Sequence, residues 1–221
     1  MMVNQDLFVK ICGVTNIDDA RFALECGADA IGLNFYERSP RFVTIDRAVE
    51  IVSQLPEHKS KIGVFVNASR KRIREVTRAV SLSAVQLIGK EGPDDLINFE
   101  SSVIKVFRVY PGFEVEVLRN YVVDAFLLDT YQDETYGGSG KTFDWNFAIA
   151  AKEYGKVILS GGLNPDNIED AVRYVQPYGV DVSSGVELRP GRKDPRKVRE
   201  FIARARSVPL YYNEDLDDDA E

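Results

Sequence analysis

Eight short, almost wholly apolar segments rich in β-branched residues recur along the chain, each separated from the next by a helical or turn pattern. They are Leu7–Cys12, Ala30–Asn34, Lys61–Val66, Ala84–Leu87, Val103–Val109, Ala125–Asp129, Lys156–Ser160 and Gly179–Ser183. A strand that is apolar on both faces must be covered on both, which is the condition of a parallel sheet flanked by helices. The intervening stretches supply them. Asp18–Glu25 puts Ala20, Ala23 and Leu24 on one face and stops at Gly27, and Thr44–Gln54 has Ile45, Ala48, Val49 and Val52 in helical phase before Pro56. Ser69–Val80 carries Ile73, Val76 and Val80. Asn164-Pro-Asp-Asn opens a helix with Pro165 in its first turn, followed by Ile168, Ala171, Val172 and Val175, and Pro195–Ala205 contributes Val198, Phe201 and Ile202. Shorter helical stretches lie near Pro93–Phe99 and Phe113–Leu118. Eight strands alternating with helices in 221 residues predict an α/β fold, a closed (β/α)8 TIM barrel rather than an open doubly wound sheet. No linker divides it, so one domain is expected over residues 1–206, with an acidic tail over 207–221.

The formal charge of −7 is unevenly placed: Glu214, Asp215, Asp217, Asp218, Asp219 and Glu221 fall in that tail, leaving about −1 for the rest. A nearly neutral body offers no basic field for nucleic acid, and the acidic end reads as a solvated tail. No apolar run approaches a membrane span of about 20 residues. The first residues lack a basic region followed by an apolar stretch, so no signal peptide is expected. Two cysteines, Cys12 and Cys26, are too few for a disulfide framework, and a cytoplasmic protein with reduced thiols is the expectation, as monomer or homodimer.

In such a barrel, chemistry sits at the C-terminal ends of the strands and in the loops that follow. That selects Cys12, Asn34, Asn67, Gln86, Asp129, Ser160-Gly-Gly162 and Asp181-Val-Ser-Ser-Gly185. The single histidine, His58, falls between a helix and the next strand, on the opposite face, so neither a Ser-His-Asp nor a Cys-His arrangement nor a histidine zinc site can be built at the mouth. Acid–base work is left to cysteine and aspartate. Cys12 reads either as a small buried thiol or as a functional group at a strand end; as a base it must be a thiolate, which needs a nearby positive field. Asp129 reads equally as a loop cap or as a catalytic acid. Tyr136-Gly-Gly-Ser-Gly-Lys-Thr142 lacks the strand-to-helix context of a P-loop and reads as a flexible loop, a candidate lid. The glycines Gly161 and Gly162 after the seventh strand, and Ser183, Ser184 and Gly185 after the eighth, allow several N–H groups to converge on an anion, and together they point to a phosphorylated ligand. Arg41, in the long loop after the second strand, reads as a surface arginine or as a fork for a substrate carboxylate.

Seven motifs in order, from Phe8 to Arg206, resemble the phosphoribosylanthranilate isomerases of tryptophan biosynthesis. They are Lys10-Ile-Cys-Gly-Val-Thr-Asn16, Phe35-Tyr-Glu-Arg-Ser-Pro-Arg41, Gly63-Val-Phe-Val-Asn67, Leu127-Leu-Asp129, Tyr136-Gly-Gly-Ser-Gly-Lys-Thr-Phe-Asp-Trp145, Leu159-Ser-Gly-Gly-Leu-Asn-Pro-Asp-Asn167 and Val180-Asp-Val-Ser-Ser-Gly-Val-Glu187. The resemblance implies an Amadori rearrangement of N-(5′-phosphoribosyl)anthranilate. It implies Asp129 as general acid at the furanose oxygen, Cys12 as general base at C2′ and Arg41 on the anthranilate carboxylate. It also implies backbone donors around Gly161, Gly162, Ser183, Ser184 and Gly185 on the phosphate, and Asp181 facing the sugar. It implies no metal and no cofactor.

One position departs from the pattern: the family has Gln-Leu-His-Gly after the fourth strand, where this chain has Gln86-Leu-Ile-Gly89. Two other readings stand beside the first. One is a related aminoaldose phosphosugar isomerase of histidine biosynthesis, or a bifunctional form; the other is a non-catalytic barrel that binds a phosphorylated ligand.

Overall fold

Eight parallel strands close into a barrel in sequence order. The computed structural model describes residues 7–130 and 143–211. The strands are β1 (Phe8–Ile11), β2 (Ala30–Asn34), β3 (Ser60–Val66), β4 (Ala84–Ile88), β5 (Ser102–Val109), β6 (Ala125–Thr130), β7 (Val157–Leu159) and β8 (Gly179–Val182). All eight expected segments are strands, within a residue or two at their ends. The ring shuts where β1 lies beside β8, with Phe8 level with Gly179 and Lys10 level with Asp181.

The helices are α1 (Ile17–Glu25), α2 (Ile45–Val52), α3 (Arg70–Val80), α4 (Asn146–Ala151), α5 (Ile168–Val175) and α6 (Pro195–Ser207). Their starts are chemical: the side chains of Asn16, Thr44, Ser69 and Asp194 each accept a hydrogen bond from an N–H of the first turn. Their apolar faces pack on the sheet; in α5, Ile168, Ala171, Val172 and Val175 are buried. Each of the three larger side chains contributes roughly 1.5–3 kcal/mol by leaving water.

Four details differ from the sequence reading. The stretches after β4 and β5 form only short 3-10 turns, Pro93–Leu96 and Val115–Asn120, because neither holds enough turns of apolar periodicity to cover a strand. Helix α5 begins at Ile168, and Pro165 falls in the preceding turn, which is held by Asn164 N–H donating to Asn167 Oδ1 at 2.9 Å. Helix α4 and an antiparallel hairpin, β9 (Glu187–Arg189) with β10 (Arg192–Lys193), had no expectation attached. The packed body also continues past Arg206, since α6 ends at Ser207 and Val208 is buried. The acidic residues from Glu214 onward, and the candidate lid Gly137–Lys141, lie outside the described residues.

Strand alternation sorts the side chains into two compartments. Val9, Ile11, Ile31, Leu33, Leu128 and Leu159 point outward into the main core beneath the helices. Ala30, Ile62, Ile104, Val106, Ala125, Leu127 and Ile158 fill the barrel, with Phe8 and Ala84 packed against them. Above this apolar plug, toward the C-terminal ends of the strands, the inward positions turn polar. His58 lies exposed in the turn between α2 and β3, at the other end.

Candidate active site

The polar layer begins with β1. Lys10 and Cys12 are two residues apart, so both point into the barrel. Lys10 is fully buried, and its ammonium donates to Asp181 Oδ1 at 2.7 Å. The register makes this pair: the two residues sit side by side on adjacent strands. Ser160 Oγ lies 3.4 Å from Asp181 Oδ2, and the Lys10 charge acts on the Cys12 thiol. Gly32 on β2 makes room for this arrangement. A methyl group there would lie 2.8 Å from Cys12 Sγ and 3.0 Å from Lys10 Nζ, closer than such contacts allow.

Cys12 follows β1 directly. Its N–H donates to the Val182 carbonyl at 2.8 Å, and its own carbonyl accepts from Lys193 Nζ at 2.5 Å. Lys193, brought in by the β9–β10 hairpin, is buried and also pairs with Glu187 at 3.1 Å. Glu187 in turn takes a two-point fork from Arg41, with Nε at 2.9 Å and Nη2 at 2.7 Å. Thus Arg41 is held rather than free in its loop.

Asp129 stands on β6 with sparser company. It is half-buried, and its Oδ1 accepts from the Thr130 N–H at 2.8 Å. Gly161, with φ +81°, presses on this carboxyl; a Cβ there would come 3.0 Å from Asp129 Oδ1 and closer still to Thr130. Gly162 also has positive φ, +72°. No described residue takes the N–H of Gly161 or Gly162. Gly185 is excluded from bearing a side chain for a different reason: a Cβ would run into the Leu163 carbonyl, so the loops after β7 and β8 touch there. Ser184–Val186 form one 3-10 turn whose first N–H groups have no partner within it.

One cleft is lined by Cys12, Arg41, Asp129, Gly161, Gly162, Asp181, Ser183 and Ser184, together with Asn34, Gln86 and Ile88. Gly185 is adjacent through its contact with Leu163, which also lines it. Asn67 does not reach this cleft; it lines a neighbouring depression, with Oδ1 taken by Lys90 N–H. Within the cleft, Ser183 Oγ and Gln86 Oε1 are buried with no hydrogen-bond partner among the described residues.

The charges set the protonation states. Burial pushes the Cys12 thiol up; the Lys10 charge is the largest opposing influence, while Asp181 adds to the rise. Burial lifts Asp129 to about 6, and the Thr130 N–H only partly offsets this. Burial would lower Lys10, but the Asp181 charge prevails and raises it. Burial would lift Glu187, but the Arg41 fork and the Lys193 charge hold it below the ordinary range.

Residues 9–204 match the family model of N-(5′-phosphoribosyl)anthranilate isomerase. The chain belongs to that family. It is 49% identical over 199 residues to the N-(5′-phosphoribosyl)anthranilate isomerase of Geobacter metallireducens, covering 90% of this chain and 98% of the relative. The crystal structure of the Thermotoga maritima phosphoribosylanthranilate isomerase superposes with a TM-score of 0.84 at 41% identity, over 91% of this chain and all of that one. A family structure in complex with reduced 1-(o-carboxyphenylamino)-1-deoxyribulose 5-phosphate gives 0.79 at 36% identity, with the same coverage. Membership favours an isomerase over a non-catalytic barrel. The departure from the family pattern stays visible in the site: Ile88 lines the cleft beside Gln86.

Lys10, Gly32, Glu187 and Lys193 were not singled out from the sequence. Lys10 left a signal, a charged residue inside an otherwise apolar strand and in phase with Cys12. Lys193 left none, because its reach depends on the hairpin.

Proposed function

We propose that the chain catalyses the Amadori rearrangement of N-(5′-phosphoribosyl)anthranilate to 1-(2-carboxyphenylamino)-1-deoxyribulose 5-phosphate in tryptophan biosynthesis. The observation that carries this reading is the convergence of Cys12 and Asp129 on one cleft rimmed by the glycine loops after β7 and β8.

The reaction needs a proton given to the ring oxygen and a proton taken from C2′. Asp129, lifted to about 6, is suited to give the first, opening the furanose to an iminium. Cys12 as thiolate takes the second, and the resulting enolamine tautomerises to the ketone. The N–H groups of Gly161, Gly162, Ser184 and Gly185 suit a phosphate, where left-handed backbone and a helical turn present donors to an anion. Ser183 Oγ and Gln86 Oε1 are suited to sugar hydroxyls, which would satisfy both. Asp181 faces the same space. Arg41 spends Nε and Nη2 on Glu187, which leaves Nη1 for the anthranilate carboxylate. The two unpaired thiols fit a reducing, cytoplasmic setting.

The two protonation states run against each other. Between about 6 and the raised pKa of Cys12, most molecules hold Asp129 ionised and Cys12 protonated. The working form, with acid protonated and base ionised, is a minor fraction that is constant across that interval. Activity should therefore show a broad plateau, falling in acid as Cys12 becomes still more fully protonated and in alkali as Asp129 loses its last protons.

The test is loss of anthranilate-adduct fluorescence with enzymatically generated substrate and no added cofactor. Cys12→Ser and Asp129→Asn should each lower kcat by about 10²–10⁴-fold with the fold intact. Near-normal turnover in either would remove its role, and turnover of the histidine-pathway aminoaldose would favour the bifunctional reading.

A further inference from the structure

We propose that Lys10 is a positioning residue for the base: its buried ammonium, fixed by Asp181, sets how much of Cys12 exists as thiolate. The inference rests on Cys12 being the base and adds the group that makes it one.

The geometry supports this in three ways. Lys10 has no exposure and lines no part of the cleft, so it does not touch substrate. It shares a strand face with Cys12, and the bare side of Gly32 leaves the space in which Sγ and Nζ both lie. Its head group is anchored at 2.7 Å by a carboxylate of the adjacent strand, so it cannot swing toward solvent.

The charge count around Cys12 points the same way. From β1 comes Lys10, from the loop after β2 Arg41, and from β10 Lys193; against them stand Asp181 of β8 and Glu187 of β9. Asp129 of β6 faces the same cleft under the charge of Arg108 of β5, and β2, β3 and β4 present Asn34, Val64, Gln86 and Ile88, none of them ionisable. Among the side chains about Cys12 three cations stand against two carboxylates, an excess that favours the thiolate when Asp129 is protonated, as in the working form. A buried lysine costs several kcal/mol to charge unless it is paired. Pairing with Asp181 alone would give a neutral site with no use for a nearby thiol. Cys12 lies where the pair's positive end can serve it.

The working fraction of enzyme is set by the gap between Cys12 and Asp129. Removing Lys10 should raise Cys12 further, while Asp129, for which Lys10 is the weakest of the named influences, moves much less. The plateau of kcat should therefore fall about tenfold per unit, and the alkaline limb should move up by the same amount.

The experiment uses the full chain carrying Cys26→Ala, so that Cys12 is the only thiol, and measures iodoacetamide alkylation at pH 8 by mass spectrometry. Lys10→Met is expected to slow alkylation at least tenfold, and Lys10→Arg to retain most of the parent rate. If Lys10→Met leaves Asp181 unpaired and the chain fails to fold, Lys10→Met/Asp181→Asn removes that orphan and is expected to slow alkylation several-fold, less than Lys10→Met because the upward push of Asp181 on Cys12 goes with it. A folded variant lacking Lys10 that alkylates within twofold of the parent overturns the proposal. So does a fall in kcat with an unmoved alkaline limb, the mark of a merely structural lesion. Alkylation needs no substrate, so its outcome stands apart from the isomerase reading, whose failure would appear as a parent protein without turnover.

Discussion

Around Cys12, five charged side chains form a pair and a triad: Lys10 with Asp181, and Lys193 and Arg41 sharing Glu187. Across the cleft, Asp129 has one backbone N–H and the press of Gly161. In the first arrangement the Lys10 charge pulls the thiol down against its burial; in the second, burial lifts a carboxyl to about 6. Cations thus crowd the proposed base more closely than the proposed acid, where Arg108 and Lys10 rank behind burial. The same difference gives the two sides opposite behaviour in acid. Glu187, held below its ordinary value, adds stability that is present above about 4.5 and is lost as pH falls through its folded pKa. Asp129, lifted to about 6, binds its proton more tightly folded than unfolded, so its contribution declines as pH rises from about 4 to about 6.

Three substitutions probe this contrast. Glu187→Gln should be the most damaging, because it leaves Lys193 buried and Arg41 without its fork; a loss of about 3–5 kcal/mol is expected in urea unfolding at pH 7, shrinking in acid. A loss below 1 kcal/mol would mean the triad is not a unit. Gly32→Ala should cost about 1–3 kcal/mol through overpacking against Cys12 and Lys10, with kcat reduced more than KM is raised. An unchanged melting temperature and rate would show that the two side chains can retreat. Asp129→Asn should do the reverse of both: while abolishing turnover it should raise stability by roughly 1–2 kcal/mol at pH 8 and by almost nothing at pH 4. A destabilised Asp129→Asn at pH 8 would mean that the carboxylate is better solvated than its surroundings suggest.

The barrel was legible because its strands obey a simple rule: buried on both faces, they are almost wholly apolar, and eight of them recur at even intervals. The 3-10 turns after β4 and β5 were legible only as weak helical pattern, since nothing local says whether one turn of helix will be extended to three. The proposed acid and base could be read because Asp129 and Cys12 end apolar strands. Their supporting charges could not, apart from Lys10. Glu187 and Lys193 sit in a hairpin whose alternation is too short to register, and their roles depend on a partner from the other end of the chain. Arg41 reads from the sequence either as a surface arginine or as a fork over the mouth, and in the structure it lines the cleft. Its fork to Glu187 is a tertiary fact that spacing cannot encode.

The bond from Lys193 to the Cys12 carbonyl spans 181 residues. It ties the base to time as well as to place. Cys12 leaves the ribosome long before Lys193, and Asp129 has followed before the hairpin exists. A nascent or truncated chain ending before Glu187 would carry Cys12 and Asp129 without the cation that grips the backbone at Cys12 or the carboxylate that holds Arg41. Contacts of such separation are the slowest to form. The onset of turnover during refolding should therefore report closure of the ring, trailing the recovery of helix and strand signal.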